Sequence, residues 1–137
     1  MKLLFDTNIL LDVLLPREPW AENGRKLWQA NDDGHITGFI TATTLTDIFY
    51  ITRRLANATV AIEAVKTCLM AFAIAPVDRP ELEQATQLPG NDFEDNLQIT
   101  CAANANLDGI ITRDPHGFQS ATITIYTPEQ ALAQLQN

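Results

Sequence analysis

The sequence predicts an α/β fold built on a mostly parallel β-sheet. Short apolar or β-branched segments alternate along the chain with longer segments whose apolar residues recur every three or four positions. Strands that alternate with helices form βαβ units, which pair their strands in parallel. A length of 137 residues and a hydrophobic content of 46% suit one domain over residues 1–137, and no repeat, linker or low-complexity segment interrupts it.

The N-terminal segment predicts a strand, two helices and a second strand. Residues 2–5 (KLLF) are a short apolar run typical of a buried strand. Residues 7–15 then show helical spacing, and Pro16 ends that helix. Residues 20–34 predict a second helix with two tryptophans as apolar anchors and a glycine as its stop. Residues 35–41 (HITGFIT) are β-branched and predict the second strand.

Two helices and a weak strand come next. Residues 43–56 restore helical spacing of apolar side chains, and residues 57–72 continue it in a separate helix. Asn57 and Thr59 both offer an N-cap for that second helix, and Thr59 or its neighbour is favoured. Residues 73–77 (AIAPV) then predict a short strand.

Proline and glycine residues mark helix ends in the C-terminal third of the chain. Residues 79–90 carry a proline in the first turn and Pro-Gly after the last, which delimits a helix. Residues 91–106 predict a helix after an Asn-Asp cap, and residues 108–112 (DGIIT) predict a buried strand. A loop, a strand and a final helix complete the chain at residues 113–118, 121–127 and 128–136.

Charge and cysteine content narrow the function classes. A net charge of −8 argues against sequence-blind attraction to nucleic acid, which needs a basic surface. A nucleic-acid enzyme remains compatible, because carboxylates gathered around cations no longer act as free charges. Cys68 and Cys101 are expected to be reduced and buried, and no Cys/His cluster has zinc spacing. We expect a cytoplasmic protein, since neither a secretory signal nor a membrane-spanning run is present.

Four aspartates occupy positions where functional residues of α/β folds are expected. Asp6 and Asp114 follow predicted strands, and function in open α/β sheets gathers beyond the carboxyl ends of the strands. Asp47 and Asp95 lie in predicted helices among apolar residues, where a buried carboxylate needs a partner. Glu94 is more typical of a solvated acid in a first helical turn, and a metal role for it stays open.

Convergence of these acids would have an electrostatic consequence. Two ionised carboxylates about 5 Å apart repel by about 3 kcal/mol at an effective dielectric constant near 20. Such a cluster would need protonation or divalent cations. Ligands that are all oxygen favour Mg²⁺ or Mn²⁺ over zinc.

The same acids also fit purely structural roles. Asp6 and Asp92 precede helices as N-caps, and Asp95 in a first turn is favourable with the helix dipole. Asp114 before a proline is a common turn residue. Asp47 is the hardest to explain in this way, because a mid-helix Asp has poor propensity unless it simply faces solvent.

The ordered motifs LLFDTNILLD, TLTDIFY, NDFEDNLQ and IITRDPHGF resemble those of the PIN-domain nuclease family. The resemblance covers the full chain and implies a three-layer α/β/α sandwich with a central, mostly parallel sheet. A stand-alone chain of this length is similar to the VapC-type toxins of bacterial toxin–antitoxin pairs. That similarity implies a metal-dependent ribonuclease held inactive by an antitoxin.

The resemblance also implies roles for individual residues. An aspartate stands at the second acidic position, where the family more often has glutamate. The implied catalytic acids are Asp6, Asp47, Asp95 and Asp114. The implied ligands of Mg²⁺ or Mn²⁺ are Asp6, Asp95, Asp114 and Asp92. The residues expected to support them are Thr7, Asn8 and Thr112.

Substrate and partners follow from the same resemblance. The chain has nine Lys and Arg residues, so affinity for RNA phosphates should be modest and salt-sensitive. The favoured phosphate contacts are Arg17, Arg53, Arg54 and Arg113. An antitoxin and a second copy of the chain are the implied protein partners. The helices that carry Trp20 and Trp28, or Phe49 and Tyr50, fit either an interface or the core, and the core is favoured.

Two other function classes compete with this hypothesis. A Mg²⁺-dependent phosphatase or phosphotransferase would use Asp6 as its nucleophile, but such enzymes usually carry a second Asp two residues later, where this chain has Asn8. A non-catalytic PIN-like binding module would keep the fold and lose the chemistry. All four acidic positions are filled, which weighs against that loss.

Overall fold

The structure is a computed structural model that describes residues 1–136. Its strands are β1 (Lys2–Phe5), β2 (Thr37–Thr41), β3 (Ala73–Ala75), β4 (Gly109–Ile111) and β5 (Thr124–Tyr126). Its α-helices are α1 (Thr7–Leu14), α2 (Ala21–Asp32), α3 (Ala42–Leu55), α4 (Ala58–Ala71), α5 (Arg79–Gln87), α6 (Phe93–Asn104) and α7 (Pro128–Leu135). The elements follow the predicted order of strands and helices.

The five strands form one sheet in the order β3-β2-β1-β4-β5, and every pairing is parallel. β1 lies at the centre, with Leu3 opposite Gly38 of β2 on one side and Gly109 of β4 on the other. Parallel pairing follows from the crossover connections. The connections β1–β2, β2–β3 and β3–β4 each contain two α-helices, whereas β4–β5 contains only a short 3-10 helix. The predicted parallel sheet is confirmed.

Side-chain alternation along β1 divides the core into two layers. Leu3 and Phe5 pack into one hydrophobic cluster, and Leu4 between them packs into the other. The first cluster includes buried residues of α1, α2, α3, α4 and α7, and the second includes those of α5 and α6. Helices therefore cover both faces of the sheet, and the α/β/α sandwich is confirmed.

The helices begin and end close to where the sequence predicts, but one predicted N-cap is wrong. Asp78 and Glu81 form a reciprocal capping box at the start of α5, and Asp92 caps α6 by accepting from the backbone N–H of Asp95. The preference for Thr59 at the start of α4 was wrong. Asn57 caps that helix by accepting from the backbone N–H of Val60.

The segment predicted as a loop at 113–118 contains a short 3-10 turn, Pro115–Phe118. Phe118 is buried in the second hydrophobic cluster, which explains why the turn is held against the body of the protein. Both cysteines are free and buried, as expected. No helix within residues 1–136 is long and apolar enough to cross a membrane.

The carboxyl edge of the sheet brings distant segments together. The backbone N–H of Asp6 donates to Ile111 O at 3.0 Å, and the N–H of Thr112 donates to Tyr126 O at 2.9 Å. These bonds continue the parallel ladder one residue past β1 and β4. Asp6 and Thr112, which are 106 positions apart in sequence, are therefore neighbours at one edge of the sheet.

Candidate functional site

A cleft of about 290 Å³ opens at the carboxyl edge of the sheet. We call it the acidic cleft, because six carboxyl groups line it: Asp6, Asp47, Asp92, Glu94, Asp95 and Asp114. The other lining residues are Thr7, Asn8, Ile51, Gln98 and Phe118. The structure thus brings the four aspartates singled out in the sequence, together with Asp92, to one place.

Asp6 is the most firmly held of these carboxylates. Its Oδ1 accepts from the backbone N–H of Thr7 at 2.8 Å and from Gln98 Nε2 at 3.2 Å. Its Oδ2 accepts from Thr112 Oγ1 at 2.7 Å. Burial raises the pKa of Asp6, while these hydrogen bonds and the nearby charge of Arg113 act to lower it. Asp6 is also the N-cap of α1, so the structural and site interpretations of this residue both hold.

The expected supporting residues connect the strand ends to the helices. Besides its bond to Asp6, Thr112 accepts from the backbone N–H of Asp114 at 3.0 Å, which ties that acid to the same edge. Thr7 is buried, and its hydroxyl lies 3.0 Å from that of Thr44, three residues before Asp47 in α3. Asn8 lies at the cleft, where its Oδ1 accepts from Arg17 Nη2 at 3.0 Å.

Asp95 lies in the first turn of α6 and faces several like charges. Burial raises its pKa to about 7, and the charges of Asp92, Asp6 and Asp114 add to the rise. The 3-10 turn Pro115–Phe118 also packs closely against Asp95. A Cβ on Gly117 would collide with Asp95 Oδ2, so the absence of a side chain at Gly117 is what lets the turn approach.

Glu94 and Asp47 form a carboxyl pair across the cleft. A side-chain hydrogen bond with Asp47 is the largest cause that raises the pKa of Glu94 to about 8, followed by burial and by the charge of Asp47. Two carboxyl groups bond in this way only if one of them keeps a proton. The pair therefore holds a proton at neutral pH and relieves part of the repulsion in the cleft.

Gln98 places an unpaired acceptor in the acidic cleft. Its Nε2 donates to Asp6, while its buried Oε1 has no hydrogen-bond partner among the described residues. The opposite orientation of the amide would set two oxygens against each other. An unpaired buried acceptor costs stability, and here that cost accompanies the hydrogen bond from Gln98 Nε2 to Asp6.

The arrangement stops short of a complete cage for a cation. Within residues 1–136, no three His, Cys, Asp or Glu side chains are grouped so that they could together hold a metal ion. The chemistry of the cleft is nevertheless all oxygen. Its potential ligands are carboxylate oxygens and the side-chain oxygens of Thr7, Asn8 and Gln98, and the pKa values of Glu94 and Asp95 are raised.

Two of the expected phosphate-binding arginines are held by a buried carboxylate. Asp12 is 1% exposed and accepts from Arg17 Nε at 2.9 Å and from Arg113 Nε at 2.6 Å. Both guanidinium groups lie beside the cleft. Arg53 and Arg54 instead end α3 as exposed residues and do not line the cleft.

Comparison with known proteins identifies the family. The PIN domain family model matches residues 2–116. The chain belongs to the PIN-domain family. The comparison with curated protein sequences gave no match.

Solved structures share the fold of this PIN domain at low sequence identity. DNA-bound VapBC from Salmonella typhimurium has a TM-score of 0.72 at 17% identity, covering 93% of this chain and 98% of that chain. FitAcB from Neisseria gonorrhoeae has a TM-score of 0.68 at 15% identity, with the same coverage of 93% and 98%. VapC20 from Mycobacterium tuberculosis, a toxin that cleaves the sarcin–ricin loop, has a TM-score of 0.66 at 13% identity over 79% of this chain and 86% of that chain.

Sequence reasoning missed several residues of this site. Gln98 could have been found, because it lies three positions after Asp95 and therefore on the same face of α6. Asp12 could have been suspected from its place in an apolar helix face, although its two partners depend on tertiary structure. Gly117 carries no sequence signal that would have linked it to Asp95.

The contact of Gly117 with Asp95 predicts that Gly117→Ala disturbs the cleft. The new Cβ forces either the 3-10 turn or the Asp95 carboxylate to move, and a displacement of about 1 Å at a reacting group can cost up to about 100-fold in rate. The measurement is the rate at which the variant cleaves nucleic acid, relative to the wild type. Gly34→Ala is the matched control: Gly34 has φ +80° with open space around it, so that variant should lose stability and keep activity.

The ion pairs of Asp12 predict a large stability cost for Asp12→Asn. The variant leaves two guanidinium groups without their carboxylate, and we expect a loss of about 2–3 kcal/mol in the free energy of unfolding. This is less than for a fully buried pair, because both arginines are partly exposed. Urea unfolding measures it. Glu22→Gln, which breaks the exposed pair with Lys26, should cost less than about 0.5 kcal/mol, and equal losses in the two variants would contradict the account.

The raised pKa of Asp95 predicts that stability falls as pH rises. The folded protein keeps the Asp95 proton up to about pH 7, whereas the unfolded chain releases it near its ordinary value of 3.8. Stability from this proton is therefore present below about pH 4 and is lost progressively toward pH 7. Asp95→Asn, which stays neutral, should gain about 1 kcal/mol over the wild type between pH 5 and pH 8.

Thermal unfolding in EDTA at a series of pH values tests this gain. Asp32→Asn, at an exposed aspartate outside the cleft, is the control and should keep the wild-type pH dependence. An unchanged pH dependence in Asp95→Asn would show that Asp95 does not titrate as described.

Proposed function

We propose that this PIN domain is a metal-dependent endoribonuclease and the toxin of a toxin–antitoxin pair, with residues 1–137 forming one domain. The observation that carries the proposal is the set of six carboxyl groups gathered at one cleft at the carboxyl edge of the sheet. A protein gains no stability from such a cluster, because like charges repel and partial burial adds a desolvation cost. A divalent cation removes both costs.

The donor set fits Mg²⁺ or Mn²⁺. Both ions take oxygen ligands, and Mg²⁺ keeps several water molecules and is commonly bound by one or two carboxylates. The absence of a group of three ligands within residues 1–136 is compatible with such a hydrated ion. Asp6, Asp95 and Asp114 are its proposed ligands, one or two of them by direct contact and the others through coordinated water, with Asp92 acting directly or through water.

Each residue of the cleft then has a definable part in phosphodiester hydrolysis. A bound cation would supply an activated water and neutralise negative charge on the phosphate. Thr112, Gln98 and the backbone of Thr7 fix the Asp6 carboxylate, which reduces the reorganisation needed during reaction. The proton held between Glu94 and Asp47 is suited to general-acid transfer to a leaving oxygen near neutral pH.

RNA is the substrate that the family resemblance favours. VapC20, which shares the fold, is described as a toxin that cleaves the sarcin–ricin loop. Arg17 and Arg113 beside the cleft can meet phosphates, whereas Arg53 and Arg54 would reach only RNA that extends along α3. The net charge of −8 predicts weak binding away from the cleft.

An antitoxin and a second copy of the chain are the proposed protein partners. Several structures that share this fold are toxin–antitoxin complexes, including one from Klebsiella pneumoniae. An apolar groove of about 310 Å³ between α3 and α4 supports a protein contact; it is lined by Leu45, Thr46, Phe49, Tyr50, Ile62 and Val65. Tyr50 is 63% exposed and Trp20 is 43% exposed, so placing these two rings in the core was wrong, whereas Trp28 packs against Phe72 in the core as favoured.

Cleavage of a mixed RNA pool tests the function. We expect cutting with Mg²⁺ or Mn²⁺ and none with EDTA, and a loss of at least about 100-fold in both Asp6→Asn and Asp95→Asn. Asp32→Asn, at an exposed site outside the cleft, should cleave like the wild type. Circular dichroism must first show that all three variants are folded.

Two results would contradict the proposal. Equal trace activity in the wild type and in both cleft variants would mean that the activity is a contaminant. Metal-dependent release of phosphate from monoesters without RNA cleavage would move the protein to the phosphatase class, with Asp6 as the nucleophile.

A further inference from the structure

We propose that Trp20, stacked on Arg113 beside the acidic cleft, is a platform on which a nucleobase of single-stranded RNA stacks. The inference rests on the proposed ribonuclease function and deepens it, because it assigns a binding site for the strand outside the carboxylates. We call the surface formed by Trp20, Arg17 and Arg113 the Trp20 patch.

Two arginines that share one carboxylate distinguish this surface from the exposed helices. Several cations are compensated one to one along exposed helices by Glu22, Glu63 and Glu83, which pair with Lys26, Lys66 and Arg79. In the Trp20 patch, two arginines share the single carboxylate of Asp12. Arg17, Arg113 and Asp12 together therefore carry a charge of +1, beside the exposed Glu18, which lies between Arg17 and Trp20 in the sequence.

Asp12 also fixes the orientation of the stack. Arg113 donates to Asp12 Oδ2 through Nε at 2.6 Å and to Oδ1 through Nη2 at 3.1 Å, which locks the plane of its guanidinium group. The Cζ of that group lies 3.9 Å from the centroid of the Trp20 ring, within cation–π distance. Trp20 nevertheless remains 43% exposed. A large aromatic ring is thus held in place at the surface before any ligand arrives, which lowers the entropic cost of binding.

The Trp20 patch is continuous with the acidic cleft. Arg17 Nη2 donates to Asn8 Oδ1 at 3.0 Å, and Asn8 lines the cleft. Arg113 lies in the chain between Thr112, which bonds Asp6, and Asp114, which lines the cleft. A strand whose phosphodiester is held at the carboxylates therefore passes a neighbouring nucleotide over this surface.

The chemistry of the patch favours an unpaired base. Every base has a π face that can stack on an aromatic ring, and arginine contributes a cation–π term to such sites. In a duplex these faces are already covered by neighbouring bases, so single-stranded RNA is the ligand that can use the ring. Within residues 1–136, the Nη1 atoms of Arg17 and Arg113 make no hydrogen bond to protein, so both remain available to phosphate oxygens.

The two tryptophans of the chain permit a direct optical test. The protein carries Asp95→Asn throughout, so that RNA is bound in Mg²⁺ without being cut. Adding Trp28→Phe leaves Trp20 as the only tryptophan, and adding Trp20→Phe leaves Trp28, which packs against Phe72 at 4.9 Å. A single-stranded RNA oligonucleotide should quench the emission of Trp20 and leave that of Trp28 unchanged, and a duplex of the same sequence should quench Trp20 far less.

Affinity measurements separate stacking from a structural role of the ring. Trp20→Leu keeps apolar volume and removes the aromatic face, and we expect it to weaken RNA binding by roughly 5-fold or more. Trp20→Phe keeps a smaller aromatic face and should retain most of the affinity. Equal losses in the two variants would show that the indole supports local structure, and would overturn the platform.

The failure of this inference is distinguishable from the failure of the proposed function. If the wild-type protein cleaves RNA while Trp20 emission is not quenched and Trp20→Leu binds normally, the platform is wrong and the nuclease stands. Equal quenching by duplex RNA would overturn the assignment to single strands. If the protein neither binds nor cleaves RNA, both proposals fall.

Discussion

Repulsion among six carboxyl groups in one cleft is the constraint that the surrounding structure has to offset. Two ionised carboxylates about 5 Å apart repel by about 3 kcal/mol, and a domain of this size has a total stability of only about 5–15 kcal/mol. The structure meets the constraint in two ways. Hydrogen-bond donors surround Asp6, and a retained proton joins Glu94 to Asp47. Neither arrangement removes the repulsion around Asp95, and this is the position where a cation would have the largest effect.

The parallel sheet is what makes the cluster possible. Parallel strands deliver their carboxyl ends to one edge, so Asp6 after β1 and Thr112 after β4 meet without any special local sequence. α3, which follows β2, and α6, which precedes β4, both begin at that edge, and their first turns bring the segment before Asp47 and Asp95 to the same place. The two hydrophobic clusters on either face of the sheet hold this edge rigid, which a precisely placed set of like charges requires.

Sequence reasoning could predict the fold and the identity of the principal acids, because both depend on local patterns. The ends of predicted strands indicated Asp6 and Asp114. The position of Asp47 within an apolar helical segment indicated that residue. What it could not predict depends on how separate elements approach each other in three dimensions. The pairing of Glu94 with Asp47 requires α6 and α3 to meet at the cleft, and the contact of Gly117 with Asp95 requires a turn that the sequence suggested only as a loop.

The roles of the arginines also depend on tertiary contacts that local sequence patterns do not show. Arg17 and Arg113 looked like free phosphate contacts, but each also stabilises the fold by pairing with Asp12, which is buried. Their roles in folding and in binding are therefore coupled. Helix caps show the limit of local signals as well: Asn57 and Thr59 are both good caps, and only the path of the chain into α4 selects Asn57.

Calorimetric titration of the metal-free protein with Mn²⁺ tests the central claim most directly, if it is carried out at pH 7 in two buffers of different ionisation enthalpy. The proton that burial and neighbouring charges keep on Asp95 must be released when a cation binds to that carboxylate. The account predicts binding accompanied by proton release at pH 7, and binding without proton release at pH 9, where Asp95 is already ionised. No binding at millimolar Mn²⁺, or binding at pH 7 that releases no proton, would contradict it.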